Sequence, residues 1–294
     1  MKKILYSAVS FLAILSATAA DSAKAEVAVP RAVAVDLQTM NRDSRCKQVL
    51  VTCLIGNQAM RMMLDTGATH TVLHKESAAR LTHARRLDTS GITFRGNSAQ
   101  RPEILLTSLQ VGPAGAPQHP IMVLDLSSVR SMMAEPIDGI LGMDVLGSLP
   151  FTFDLRRDEC YWGVPEGAEL VPLYGTRDEN GRMFVRLQCC GKPLELLLDT
   201  GSSVTRVYAD EWVAGKAKTV SARLGDVDKA GRAEVMTGKS ADLELAPGVI
   251  LPDIEPLFCP RQDRSMLGMD ALQGRVLIHL PGRQSPYGSF FTIR

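Results

Sequence analysis

Short apolar stretches, each closed by a Gly, Pro or Asn turn, recur through most of the 294-residue chain. That is the pattern of short strands rather than long helices. Val49, Val51 and the apolar residues around Leu54 and Ile55 predict one strand, Gly56-Asn57 a turn, and Met60 to Leu64 the returning strand. The outline recurs later: Met183 to Leu187, a turn at Gly191-Lys192-Pro193, and a return over Leu194 to Leu198. Further strands are predicted at Ile104 to Val111, Ile121 to Leu126, Leu243 to Leu245 and Val276 to Leu280. Short helices are predicted at Met143–Leu146 and Met269–Leu272, where Asp144 and Asp270 sit in the first turn and suit its dipole. The fold class is all-β with short helices.

The two hairpins end in the same words. Met62, Met63 and Leu64 lead into Asp65-Thr66-Gly67, and Leu196, Leu197 and Leu198 lead into Asp199-Thr200-Gly201. A second phrase follows each at similar distance: Ile140-Leu141-Gly142-Met143-Asp144-Val145-Leu146, then Met266-Leu267-Gly268-Met269-Asp270-Ala271-Leu272. A repeated pair of phrases marks an internal duplication. Each copy presents one carboxylate, and two carboxylates brought together can share a proton and activate a water.

With these residues the chain resembles the aspartic peptidases of the pepsin and retropepsin group. Their signature, two apolar residues before Asp-Thr-Gly-Ala/Ser and a later apolar-apolar-Gly, reads here as Met63 to Ala68 with Ile140-Leu141-Gly142, and Leu197 to Ser202 with Met266-Leu267-Gly268. One Asp-Thr-Gly arises by chance; two, each with its companion phrase, form a specific signal. The resemblance covers nearly all of the chain past its N-terminal stretch. It implies two pseudo-symmetric retropepsin-like β-barrel lobes fused in one chain, with the active site between them. It also implies that Asp65 and Asp199 form a catalytic dyad, that the Thr66 and Thr200 hydroxyls bond across to the opposite loop, and that Gly142 and Gly268 leave no room for a side chain behind the Asp loops. Gly67 and Gly201 allow the loops to approach closely. Ser202 offers a hydroxyl to Asp199 that Ala68 cannot offer to Asp65.

Substrate would lie in a cleft under mobile hairpins. The candidates are the stretch with Ile92, Phe94 and Gly96, and a more polar one beginning Leu224-Gly225. The activity implied is that of an aspartic endopeptidase on extended polypeptides, working as a monomer because one chain carries both motifs. A peptide-binding or inhibitor-like module that kept the fold and lost turnover is the alternative.

Composition narrows the picture. A net charge of +1 and 5% aromatic content give no basis for binding nucleic acid, and 45% hydrophobic residues suffice for two cores. No cofactor is indicated, and no metal: His70 and His74 lack a third ligand, and no Cys-x-x-Cys spacing occurs. No Gly-x-Ser-x-Gly elbow of a serine hydrolase is present. Trp162 and Trp212 are read as packing residues. Lys2-Lys3, the apolar run Ile4 to Leu15 and the small residues after it predict a bacterial-type signal peptide, cleaved after Ala19, Ala20 or Ala25. The domains follow: 1–25 signal peptide, 26–44 lead-in, 45–162 first lobe, 163–182 linker, 183–294 second lobe. An exported protein with no stable membrane span, periplasmic or secreted, is expected. Six cysteines in such a chain predict disulfides, with Cys189 and Cys190 taking different partners.

Overall fold

The computed structural model describes residues 36–39, 47–87, 102–112, 114–157, 159–165, 169–225, 230–260, 264–281 and 290–293. The first half holds β1 (Asp36–Thr39), β2 (Lys47–Ile55), β3 (Gln58–Leu64), β4 (Val72–His74), α1 (Lys75–Ala78), β5 (Arg85–Leu87), β6 (Glu103–Val111), β7 (Ala114–Leu124), α2 (Ser127–Arg130), β8 (Gly139–Leu141), α3 (Met143–Leu146), β9 (Phe151–Asp154) and β10 (Glu159–Trp162). The second half holds β11 (Leu170–Pro172), β12 (Gly175–Arg177), β13 (Met183–Cys189), β14 (Lys192–Leu198), β15 (Arg206–Tyr208), β16 (Lys216–Gly225), β17 (Ala230–Gly238), β18 (Ala241–Ala246), β19 (Val249–Ile254), β20 (Leu257–Cys259), β21 (Met266–Leu267), α4 (Met269–Leu272), β22 (Val276–His279) and β23 (Phe290–Ile293). Both short helices fall where the sequence predicts them.

One hairpin organises each lobe. β2 pairs with β3 from Leu50↔Met63 to Ile55↔Gln58, and β13 with β14 from Phe184↔Leu197 to Cys189↔Lys192. Met183, Val185, Leu187 and Cys189 point inward along β13 while Arg186 and Gln188 point out, the period-2 pattern of a half-buried strand. The second hairpin turns at Cys190-Gly191, whose φ values are 50° and 76°. That is the backbone of a tight two-residue hairpin, so Lys192 and Pro193 open β14 instead of forming the predicted turn. The returning strands end fully buried because β8 and β21 pair to them in parallel, Leu64↔Leu141 and Leu198↔Leu267.

In the first lobe β2-β3-β8-β4-β7-β6 close into a barrel through Leu54↔Gln110 and Ile55↔Leu109. The second lobe keeps the same core order but stays an open half-barrel, β16-β17-β20-β15-β21-β14-β13-β18-β19. A third sheet, β10-β9-β22-β23-β11, joins the lobes through β9 and β22, from Phe151↔His279 to Asp154↔Val276. The molecule is therefore mostly β, with two barrel-type lobes of pepsin-like arrangement. The stretch 163–182, read as a linker, contains β11 in the joining sheet and β12 on the edge of β13. β1 falls in the stretch read as an irregular lead-in and pairs with β2; four residues carry too little pattern to announce a strand.

No disulfide joins Cys53, Cys160, Cys189, Cys190 and Cys259 to one another, and Cys46 lies outside the described residues. The expected disulfides thus find no pair among the described cysteines. Cys53, Cys160 and Cys189 are buried in the apolar core as small hydrophobic side chains. Burial pushes the Cys53 thiol up to about 12 and the Cys189 thiol up to about 11. Trp162 and Trp212 are buried in the same core. No helix among the described residues is long and apolar enough to cross a membrane.

Candidate active site

β3 and β14 deliver Asp65 and Asp199 to the boundary between the lobes. Each loop is tied down in the same way. The backbone N–H of Asp65 donates to the Leu141 carbonyl and that of Asp199 to the Leu267 carbonyl, both at 3.0 Å. Asp65 Oδ1 accepts from the N–H groups of Gly67 (2.8 Å) and Ala68 (3.0 Å). Asp199 Oδ1 accepts from Gly201 (2.9 Å) and Ser202 (3.1 Å).

The two threonines lock the loops together. Thr66 Oγ1 donates to the Leu198 carbonyl (2.7 Å) and accepts from the Thr200 N–H (3.1 Å). Thr200 Oγ1 donates to the Leu64 carbonyl (2.8 Å) and accepts from the Thr66 N–H (3.1 Å). All four groups are buried, so every bond lost would leave a donor or acceptor without water. A Cβ on Gly67 would lie 2.5 Å from Asp199 Cγ, and one on Gly201 2.3 Å from Asp65 Oδ2. Only a residue without a side chain fits between a loop and the opposite carboxyl. Behind the loops, a Cβ on Gly142 would lie 2.6 Å from the His70 backbone, and one on Gly268 2.5 Å from the Val204 backbone.

Each carboxyl lies against the glycine of the opposite loop, and the two influence each other's protonation. Burial, then the Asp199 charge, holds the Asp65 carboxyl well above the usual carboxylate range, against the Gly67 and Ala68 amides. Burial also raises Asp199, opposed by the neighbouring Asp65, the Arg206 charge and the Gly201 and Ser202 amides. The environment therefore favours retention of a proton by the pair.

Of the predicted site residues, Asp65, Thr66, Gly67, Asp199, Thr200, Gly201 and Ser202 come together here. Ser202 departs from expectation. Its hydroxyl donates to the Val204 carbonyl at 2.8 Å, and only its backbone N–H reaches Asp199. Leu224 and Gly225 stand at the end of β16, opposite Gly231 and Ala230 on β17. Ile92, Phe94 and Gly96 lie outside the described residues. His70 is exposed, whereas His74 is buried on β4 with Nδ1 accepting the Leu126 N–H at 2.9 Å.

Sequence reasoning missed a second layer. Thr71 donates its N–H and hydroxyl to Asp144 at 2.9 and 2.8 Å; Thr205 does the same to Asp270 at 2.9 and 2.7 Å. Each threonine hydroxyl also accepts an N–H, from Gly142 at 3.3 Å and from Gly268 at 3.1 Å. The helix acids thus brace the loop residues after each Asp-Thr-Gly rather than merely matching a helix dipole. The signal was available: Thr71 and Thr205 stand at the same offset from Asp65 and Asp199.

Residues 51–145 match the family model described as aspartyl protease, a span from β2 into α3 that includes Asp65, Thr71 and Gly142. No curated protein matches the chain. The match supports an aspartic peptidase family for this chain and, in general terms, a hydrolase of the aspartic protease kind.

Proposed function

We propose that the chain is a single-chain aspartic endopeptidase in which Asp65 and Asp199 together activate a water against a peptide bond. The observation that carries this reading is a pair of carboxyls, each lying against the glycine of the opposite loop, on two loops held together by reciprocal threonine bonds. In the reaction the ionised member takes a proton from water while the protonated member hydrogen-bonds the substrate carbonyl. The water oxygen bonds to the carbonyl carbon. The C–N bond then breaks as the amine takes a proton from the dyad, which returns to its singly protonated state. The substrate is an extended polypeptide bound in strand form. We place the mature protein outside the cytoplasm as a monomer, since one chain supplies both loops.

The test is turnover of a diverse peptide mixture by the mature protein beside Asp65→Asn and Asp199→Asn. Each variant should lose about 10²–10⁴-fold in turnover with unchanged circular dichroism. The kcat/KM of the parent should be bell-shaped in pH and fall as pH rises through the raised carboxyl values, where the pair loses its proton. Near-normal turnover in either variant removes that residue from the mechanism. Peptide binding without cleavage by the parent would point to the binding module instead.

A further inference from the structure

Arg182 lies at the end of the short connection between β12 and β13, and the Asp178 carboxylate organises that connection. Asp178 accepts from the backbone N–H groups of Asn180 (3.0 Å) and Arg182 (3.0 Å), and from Arg182 Nε (2.7 Å) and Nη2 (2.6 Å). The Asp178 N–H closes the loop onto the Arg182 carbonyl at 3.0 Å. Arg177 Nη2 adds a bond to the Gly181 carbonyl at 3.4 Å. The guanidinium is thus fixed, and its side chain is only 14% exposed. Its remaining arm, Nη1, donates across the lobe boundary to the Gly67 carbonyl at 3.4 Å.

That carbonyl belongs to the peptide unit whose N–H is Ala68, and the Ala68 N–H donates to Asp65 Oδ1 at 3.0 Å. One peptide group therefore has a cation at its oxygen and a carboxylate at its hydrogen. A cation at the oxygen polarises the amide and strengthens its N–H as a donor. The duplicate differs. Ser202 N–H donates to Asp199 Oδ1 at 3.1 Å in the same way, but the position matching Arg182 in the other repeat is the uncharged, buried Gln48. The charged groups around the chain of contacts are Asp178 on the guanidinium, Arg177 in the same loop, Asp199 against Gly67 and Arg206 acting on Asp199.

We propose that Arg182 is a positioning residue for the first-lobe aspartate loop, acting from the second lobe through the Gly67–Ala68 peptide on the Asp65 carboxylate. The assignment rests on the dyad reading above. Arg182 favours the ionised form of Asp65 and partly offsets its burial, as the Arg206 charge does for Asp199. It also holds the Gly67 backbone against the opposite carboxyl.

The test uses full-length mature protein with Arg182→Met and Arg182→Lys. Carboxyl ¹³C titration of aspartate-labelled protein reads the apparent pKa values of the pair whether or not the protein turns over. Arg182→Met should move them upward together by roughly half a unit or more. The acid limb of kcat/KM should move the same way, with kcat lower by about tenfold and KM within about twofold. Arg182→Lys, which keeps the charge but not the fork, should recover part of the shift. Thermal melting establishes that each variant is folded. If Arg182→Met does not fold, Arg182→Gln, with donors and no charge, takes its place. A folded uncharged variant whose carboxyl titration superimposes on the parent overturns the proposal, even if the parent cleaves peptides. A shifted titration in a protein that cleaves nothing supports it while sinking the peptidase reading.

Discussion

The two lobes brace their aspartate loops almost identically, yet only the first closes its barrel. In the first, β6 runs unbroken from its pairing with β5 to its pairing with β2. In the second, the corresponding path is cut between β17 and β18. There the Lys239 N–H donates to the Gly215 carbonyl (2.8 Å), and the Lys239 carbonyl accepts from Trp212 Nε1 (2.8 Å). A Cβ on Gly238 would lie 2.5 Å from the Trp212 ring. Backbone groups that would extend a ladder are committed to a buried indole and a turn instead. The loops are nonetheless superimposable in their bonding, from the cross-lobe threonines to the Thr71–Asp144 and Thr205–Asp270 braces. Barrel closure is therefore not what positions the dyad. What distinguishes the lobes near the site is charge: Arg206 stands where the first repeat has Val72, and Arg182 where it has Gln48.

The largest effect should come from the glycines at which the lobes touch. Gly67→Ala and Gly201→Ala each place a methyl inside the opposite carboxyl, so the loops must part. A displacement near 1 Å costs catalysis about 10²-fold, and overpacking adds about 1–3 kcal/mol of destabilisation. If the lobes are equivalent at the site, the two variants should match in kcat/KM and in melting temperature. A well-tolerated alanine on one side only would break the comparison there.

The duplicated phrases made the framework legible, because each carries residues that nothing else can replace: Asp at a strand end, Thr across the boundary, Gly against a carboxyl. The hairpins were legible from alternation, as in β13. What did not show was whatever depends on contacts between distant residues. Nothing local in Asp178-Glu179-Asn180-Gly181-Arg182 announces that its last guanidinium reaches Gly67. Ser202 was assigned to Asp199 by proximity in sequence, but its hydroxyl finds the Val204 carbonyl of its own loop first. The cysteines read as a disulfide set from their even number, while strand register turned Cys53, Cys160 and Cys189 into the core.

A smaller effect should appear in the sheet that joins the lobes. His279 occupies the position that Phe153 holds in the first repeat. It stacks on Phe151 with ring centroids 5.0 Å apart, meets the tilted Phe290 ring at 4.7 Å, and bonds the Leu149 carbonyl through Nδ1 at 2.7 Å. Burial lowers its pKa from the ordinary imidazole value to about 4. The unfolded chain therefore binds the extra proton first as pH falls. The stability this neutral imidazole contributes is fully present above the unfolded value and is lost as pH drops toward the folded one. The loss is about 3 kcal/mol across that window. Chemical denaturation of His279→Gln between these limits should show a flatter pH slope than the parent. An unchanged slope would mean that the joining sheet does not set the acid limit.

The smallest effect separates the two braces. Asp144 and Asp270 accept the same pair of bonds, but Asp144 Oδ2 also meets His119 Nε2 at 3.2 Å. Burial, the largest influence on Asp270, raises its carboxyl above the ordinary range despite the Thr205 bonds. Neutralising Asp270 thus relieves a desolvation cost while disturbing one bond, and Asp270→Asn should cost less than about 1 kcal/mol. Asp144→Asn disturbs the equivalent bond and also removes the charge facing His119, so it should cost more. The pair is partly exposed, at 15% and 19%, which limits the coupling to roughly 0.5–1 kcal/mol. A double-mutant cycle with Asp144→Asn and His119→Ala isolates it. If the cycle closes to zero, the histidine is incidental and the braces are equivalent. A coupling of the expected size makes His119, among the described residues, the one feature of the second layer that belongs to the first lobe alone.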